Sequence, residues 1–310
     1  MLDYALLDAL ASVVRTGSFE RAARQIGVTQ SAISQRVKLL EERVGSVLVI
    51  RGQPCRGTQA GLRLARHAEE VALLERTLTQ DMGRELTDGR MPTIRIAVNA
   101  DSLATWFVAA MAAVPDCLFD LVLDDQEHSA EWLRRGEVRA AVSGSETPVQ
   151  GCDCRPLGAL RYVATASPEF MQRWFSDGVT AQTLARAPAL TFNIKDMLQA
   201  RWIAAHVGEG VVPPTHWLPS SQAFIDATLA SLGWGLNPEM LVADAIAAGR
   251  LVPLLENATY DVPLYWHWSR SVAAALQPLN ASVGEAARTL LGPPRQSPSG
   301  TGIAEASRLP

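Results

Sequence analysis

Ser31, Ser34, Gln35 and Lys38 share one side of a stretch whose other side is Ile33, Val37 and Leu40. Hydroxyls and amides can bond base edges and an ammonium can meet a phosphate, so this set offers the chemistry of reading a DNA groove. Gln30 stands at the head of the stretch, and Thr29 before it can cap a helix. Upstream, Phe19, Ala22, Ala23 and Ile26 recur at i, i+3, i+4 and i+7, the apolar face of another helix behind an N-cap at Ser18. Gly27 relaxes the backbone between the two. Two short helices joined by about three residues with a glycine make a helix-turn-helix, whose second helix enters the major groove. On periodicity alone an ordinary helical hairpin with a solvated polar face fits the same pattern.

A second set of polar residues sits at strand ends. Asn99, Asp101 and Ser102 follow the apolar run TIRIAV and open a helix that contains Trp106. Asp124 and Asp125 follow FDLVL, Ser143 follows RAAV, and Asn193 ends ALTFN. Strand carboxyl ends facing helix N-termini are where α/β folds hold ligands. Hydroxyl and backbone donors beside several acidic groups suit a ligand carrying both charges, such as a basic amino acid. The plainer readings are helix caps for the Asp and Ser residues and core for Trp106.

The elements that would position these groups follow from the rest of the chain. Residues 2–15 repeat Leu6, Leu10, Val13 and Val14, a helix that backs the helix-turn-helix. VLVI, Arg51, a loop with Pro54, then Arg56 and Gly57 read as a wing, whose arginines could reach phosphates or a minor groove; a solvated loop is the alternative. Residues 59–86 form one long helix in which Leu64, Val71 and Leu78 lie seven apart, with Ala68 and Leu74 on the same side. That spacing favours a seam between two chains. From Thr93 short apolar strands alternate with helices, the pattern of parallel α/β layers. The last stretch, rich in Pro, Ser and Gly, is expected to be disordered.

Composition bounds the function. The chain has 310 residues, 48% hydrophobic and 19% charged, enough for two or three domains with sizeable cores. Residues 1–60 hold 8 Lys/Arg against 5 Asp/Glu, net +3, and the other 250 hold 20 against 27, net −7. A basic head on an acidic body fits a modular DNA binder. No transmembrane run or signal peptide is visible, which places the chain in the cytoplasm with no membrane partner. Cys152 and Cys154 lack the second pair a zinc site needs, so neither metal nor cofactor is expected. Asp124, Asp125 and His128 cluster without a nucleophile or metal set, which argues against an enzyme.

The run GSFERAARQIGVTQSAISQRVKLLEERVGSVLVIR resembles the N-terminal signature of LysR-type transcriptional regulators, matching at Ser18, Phe19, Ala22, Ala23, Thr29, Gln30, Ser31, Ser34, Glu41 and Arg51 among others. Ile50 and Gly57 depart from it. AVNADSLATWF, LDDQEHSAEWLRRGEVRAAVS, TFNIKDMLQ and PLYWHW resemble the ArgP/LysG branch, whose members respond to arginine and lysine and include chromosome-initiation-inhibitor-like proteins. The resemblance implies a winged helix-turn-helix over 1–60 and a linker and dimerisation helix over 61–90. It further implies a two-lobed, periplasmic-binding-protein-like α/β effector domain over 91–292, with 293–310 as tail. Lobe I would take 91–162 and 268–292 and lobe II 163–267, the chain crossing near 161–165 and returning near 265–269.

The DNA-binding set is then Ser18, Thr29, Gln30, Ser31, Ser34, Gln35, Lys38, Arg51 and Arg56. Asn99, Asp101, Ser102, Trp106, Asp124, Asp125, Ser143 and Asn193 are the effector-binding set. The implied partners are double-stranded promoter DNA, lysine or arginine, a second copy of the chain in a dimer that becomes a tetramer on DNA, and RNA polymerase. The rival reading is a regulator of the same type with another effector, such as an aromatic acid.

Overall fold

Two glycines and two hydroxyls set the first sixty residues. In the computed structural model, which describes residues 3–82, 91–124 and 129–293, helix α1 (Tyr4–Thr16) stops at Gly17, whose φ is +64°. Ser18 Oγ then accepts the Arg21 amide and starts α2 (Phe19–Ile26). Gly27, at φ +75°, ends α2, and Thr29 Oγ1 accepts the Ala32 amide to start α3 (Gln30–Val44). Each cap satisfies backbone donors or acceptors that a helix end leaves open. The helices close over Leu7, Leu10, Ile33, Val37, Leu40 and Leu48. Strands β1 (Val49–Ile50) and β2 (Arg56–Gly57) pair antiparallel as a short wing. Glu41 of α3 ties that wing down, its Oε1 accepting the amides of Leu48 at 2.8 Å and Val49 at 3.2 Å.

Helix α4 (Gln59–Asp81) carries the chain out of this unit. The expected seam is split between jobs. Leu64 and Ala68 pack on the winged-helix core, and Leu73 is buried in the core of the α/β domain. Of the seam residues, Leu74 and Leu78 are exposed, as is Leu62 beside them on α4. The helix leans on two domains at once, and each takes part of the apolar stripe. At its start, a Cβ on Gly61 would lie 2.0 Å from the Leu48 carbonyl, so only glycine lets α4 approach the wing this closely.

The α/β domain begins with β3 (Thr93–Val98) and a helix opened by α5 (Ala100–Ser102), which passes through a π turn, Leu103–Phe107, into α6 (Val108–Ala112). Strand β4 (Leu118–Leu123), α7 (Ser129–Arg134) and β5 (Ala140–Ser143) follow; β4 and β5 flank β3 in parallel. Then β6 (Cys152–Ala166) runs through both lobes. The second lobe holds α8 (Pro168–Trp174), α9 (Ala181–Leu184), β7 (Ala189–Thr191), α10 (Leu198–His206), β8 (Thr215–Trp217), α11 (Ser221–Leu229), β9 (Gly235–Pro238), α12 (Glu239–Ala247) and β10 (Val252–Pro253). Strand β11 (Thr259–Ser269) returns along β6, and α13 (Gln277–Leu290) closes the first lobe.

The main sheet has the order β10-β6-β11-β5-β3-β4, with β9 also on β6. Tyr265–Trp268 of β11 pair with β5 of the first lobe. Trp106, Phe107, Tyr162, Trp202, Trp234 and Trp266 are buried in one continuous core. Of the sequence expectations, Asp125, His128 and the tail from 294 onward lie outside the described residues.

Candidate functional site

Helix α3 turns its apolar stripe inward and leaves a polar face open. Ile33, Val37 and Leu40 are buried, whereas Thr29, Gln30, Ser31, Gln35 and Lys38 are exposed and Ser34 is half-buried. The hydroxyls of Thr29 and Ser31 lie 3.0 Å apart, and Lys38 Nζ is 3.8 Å from Glu42. Ser18, half-buried, is engaged as the cap of α2. On the wing, exposed Arg51 lies 5.3 Å from the centre of the Phe19 ring, a cation–π contact that aims its guanidinium over the start of α2. Arg56 projects from β2, also exposed. A turn-linked helix pair presenting hydroxyls, amides and cations beside a basic wing is built for a duplex.

The second site is the cleft between the lobes, lined by Asn99, Ala100, Asp101, Asp124, Phe192, Asn193, Asp196 and Leu198. Asn99, Ala100 and Asp101 come from the start of α5 after β3, Asp124 follows β4, Phe192, Asn193 and Asp196 lie between β7 and α10, and Leu198 begins α10. Asp101 links the lobes: Tyr162 Oη donates to its Oδ2 at 2.8 Å and Ser221 Oγ to its Oδ1 at 2.6 Å. Asp124 Oδ2 accepts the Trp132 indole N–H at 2.7 Å. Asp196 accepts the backbone amides of Phe192 and Leu198, each at 3.0 Å, and Asn193 Oδ1 accepts the Lys195 amide at 2.8 Å. Asn99 is buried, and its Oδ1 has no hydrogen-bond partner among the described residues. Three carboxylates therefore face one small space with no cationic side chain among the described lining residues.

Four residues of the expected effector set meet here: Asn99, Asp101, Asp124 and Asn193. Three do not line the cleft. Ser102 is fully buried beneath its floor. Trp106 is in the core, edge-to-face on Phe107 with centroids 5.4 Å apart, because the π turn points it inward. Ser143 Oγ accepts the Ser145 amide at 3.1 Å and shapes the turn after β5. Asp196, Tyr162, Ser221 and Trp132 escaped the sequence reading. Only Asp196 had a local signal, three residues after Asn193 where an acidic side chain can hold its own turn; the others depend on pairings far apart in sequence.

A groove-reading head joined through a long helix to a two-lobed domain with a ligand cleft defines a small-molecule-responsive DNA-binding regulator. Residues 4–62 match the family of bacterial regulatory helix-turn-helix proteins of the lysR type, and residues 87–288 match the LysR substrate binding domain. The chain is 47% identical over 274 residues to the transcriptional regulator ArgP of Pseudomonas fluorescens, covering 87% of this chain and 91% of that one. It is 46% identical over 265 residues to LysG of Mycobacterium bovis, with 86% and 87% covered. Its fold matches the crystal structure of ArgP from Mycobacterium tuberculosis with a TM-score of 0.74 and 43% identity, over 95% of this chain and all of that one. LysG from Corynebacterium glutamicum with bound effector Arg matches with a TM-score of 0.63 and 36% identity, over 94% and 100%. The chain belongs to the LysR family of transcriptional regulators, beside ArgP and LysG, and is not an enzyme. Among the described residues no helix is long and apolar enough to cross a membrane.

Proposed function

We propose that the chain is a cytoplasmic regulator that binds promoter DNA and senses lysine or arginine, controlling genes for export or metabolism of that amino acid. The observation that carries the effector assignment is the convergence of Asp101, Asp124 and Asp196 on one cleft. A cationic side chain satisfies such carboxylates with charge-assisted hydrogen bonds, while the backbone at the head of α5 and the Asn99 side chain face the ammonium and carboxylate end. An aromatic acid would instead bring a further negative charge beside these three carboxylates. The arginine bound to LysG of Corynebacterium glutamicum supports the same reading. Gln30, Ser31, Ser34 and Gln35 read base edges, with Thr29 and Ser18 at the helix starts; Lys38, Arg51 and Arg56 hold phosphates.

In this reading the head extends to residue 60, the linker covers 61–90 and the effector domain 91–292. The protein works as a homodimer through α4, whose Leu62, Leu74 and Leu78 are exposed, with a tetramer on DNA and contact to RNA polymerase as the further assembly. Titration calorimetry with L-lysine, L-arginine and benzoate tests the effector. Heat from either amino acid and none from benzoate is expected; binding of benzoate alone would reverse the assignment.

A further inference from the structure

Trp132 joins the cleft to the linker helix through a single turn of chain. Its indole N–H donates to Asp124 Oδ2 at 2.7 Å, and Asp124 lines the cleft. Its carbonyl accepts the Glu137 amide at 2.9 Å, which closes the turn after α7. Within that turn the Arg135 carbonyl accepts Arg66 Nη1 of α4 at 2.7 Å. Arg139 completes the grip, donating from Nη1 to Glu70 Oε1 at 2.6 Å and from Nη2 to the Arg66 carbonyl at 2.8 Å. Its side chain is 7% exposed against 31% for Glu70, and losing the partner would leave the buried guanidinium unmatched. Residues 66–70 of the linker therefore follow residues 135–139 as one body.

A charged donor forms a hydrogen bond to carboxylate roughly twice as strong as a neutral one does. We propose that Trp132 is the positioning residue that couples occupancy of the cleft to the linker helix. The cationic group of a basic amino acid takes Asp124 Oδ2 from the indole, Trp132 shifts, and the turn behind it carries Arg66 and the helix around it. This rests on the basic amino-acid reading above. The coupling needs no long path: an element with two arrangements that both sites bias is sufficient.

Hydrogen–deuterium exchange on the full chain, with and without saturating L-arginine, tests it. In the wild type, exchange changes in the cleft segments 93–102 and 189–198 and also in linker residues 60–72. Trp132→Phe keeps the ring but removes the donor; it should hold calorimetric affinity for L-arginine within about threefold, well under 1.4 kcal/mol, and keep cleft protection while losing most of the linker response. Arg66→Gln combined with Arg139→Gln cuts both guanidinium contacts at the other end and should give the same separation, and adding Trp132→Phe should lose no more than either alone. A merely structural Trp132 would weaken both responses together. A linker response that survives in both variants, or that the wild type lacks while its cleft is protected, overturns the proposal. Should Trp132→Phe fail to fold, the arginine variant alone decides in the same two directions. If L-arginine and L-lysine both leave the wild-type cleft unprotected, the effector reading fails first and the coupling falls with it.

Discussion

The Ser221 hydroxyl of one lobe donates to the Asp101 carboxylate of the other at 2.6 Å, while Tyr162 of the shared strand β6 donates to the same carboxylate at 2.8 Å. Asp101 is thus both a cleft-lining group and a clasp.

Asp101→Asn removes the charge but keeps the shape. It should weaken L-arginine or L-lysine binding about tenfold or more, since a hydrogen bond to a charged group contributes roughly 1.5–3 kcal/mol. Ser221→Ala removes only a neutral donor, worth roughly 1 kcal/mol, so affinity should fall about fivefold. Calorimetry on both variants ranks them, and a larger loss from Ser221→Ala would move the main contact off Asp101.

Lys38 is exposed on the polar face of α3. Lys38→Ala should weaken binding to any duplex and lower the slope of log affinity against log salt by about one. Fluorescence anisotropy on a random duplex at several salt concentrations measures that slope. An unchanged slope would take Lys38 off the phosphates. Gln30→Ala and Ser34→Ala should leave it unchanged and relax base preference in a binding-site selection.

Glu41 accepts two wing amides through one oxygen. Glu41→Ala strands both donors beneath the wing and should cost about 1–3 kcal/mol, seen as a lower Tm of the reading head. Glu41→Gln keeps an acceptor oxygen and should recover most of that loss. Equal damage from both variants would mean the charge, rather than the hydrogen bonds, is what matters.

His267 is fully buried, with Nε2 donating to the Ser145 carbonyl at 2.8 Å. Burial pulls its pKa below the ordinary imidazole value. As pH falls through about 6.5, the unfolded chain takes up a proton that the folded chain does not. The unfolded state then binds more protons, and stability is lost on the acid side. Tm should drop between pH 7.5 and 5.5, and His267→Gln should flatten that drop. An identical pH dependence in the variant would assign the sensitivity elsewhere.

The reading head was legible in the sequence because its signals are local. Ser18, Gly27 and Thr29 act through residues within four positions of themselves, and the apolar periodicity of α3 names its buried face. The first half of β6 was not legible. Pro156 and Gly158 are poor strand formers, yet they sit at the bulge opposite Leu264 and Tyr265, where Gly158 adopts φ +122° with no room for a side chain beside the Gly292 carbonyl. Strand β9, GLNP, hid for the same reason; its buried Asn237 donates to Thr165 of β6 at 2.9 Å, a partner 72 residues away. The cleft was half legible. Asn99, Asp101 and Asp124 follow recognisable strands, but the groups that orient Asp101 and Asp124 are set by tertiary register. Trp106, for which the sequence also offered the core, is buried there beside a π turn.

Gly61 meets the Leu48 carbonyl with no space for even a methyl group. A joint without slack cannot absorb movement. The proposed movement of the long helix would therefore carry the wing with it, α4 acting as a crankshaft rather than a tether.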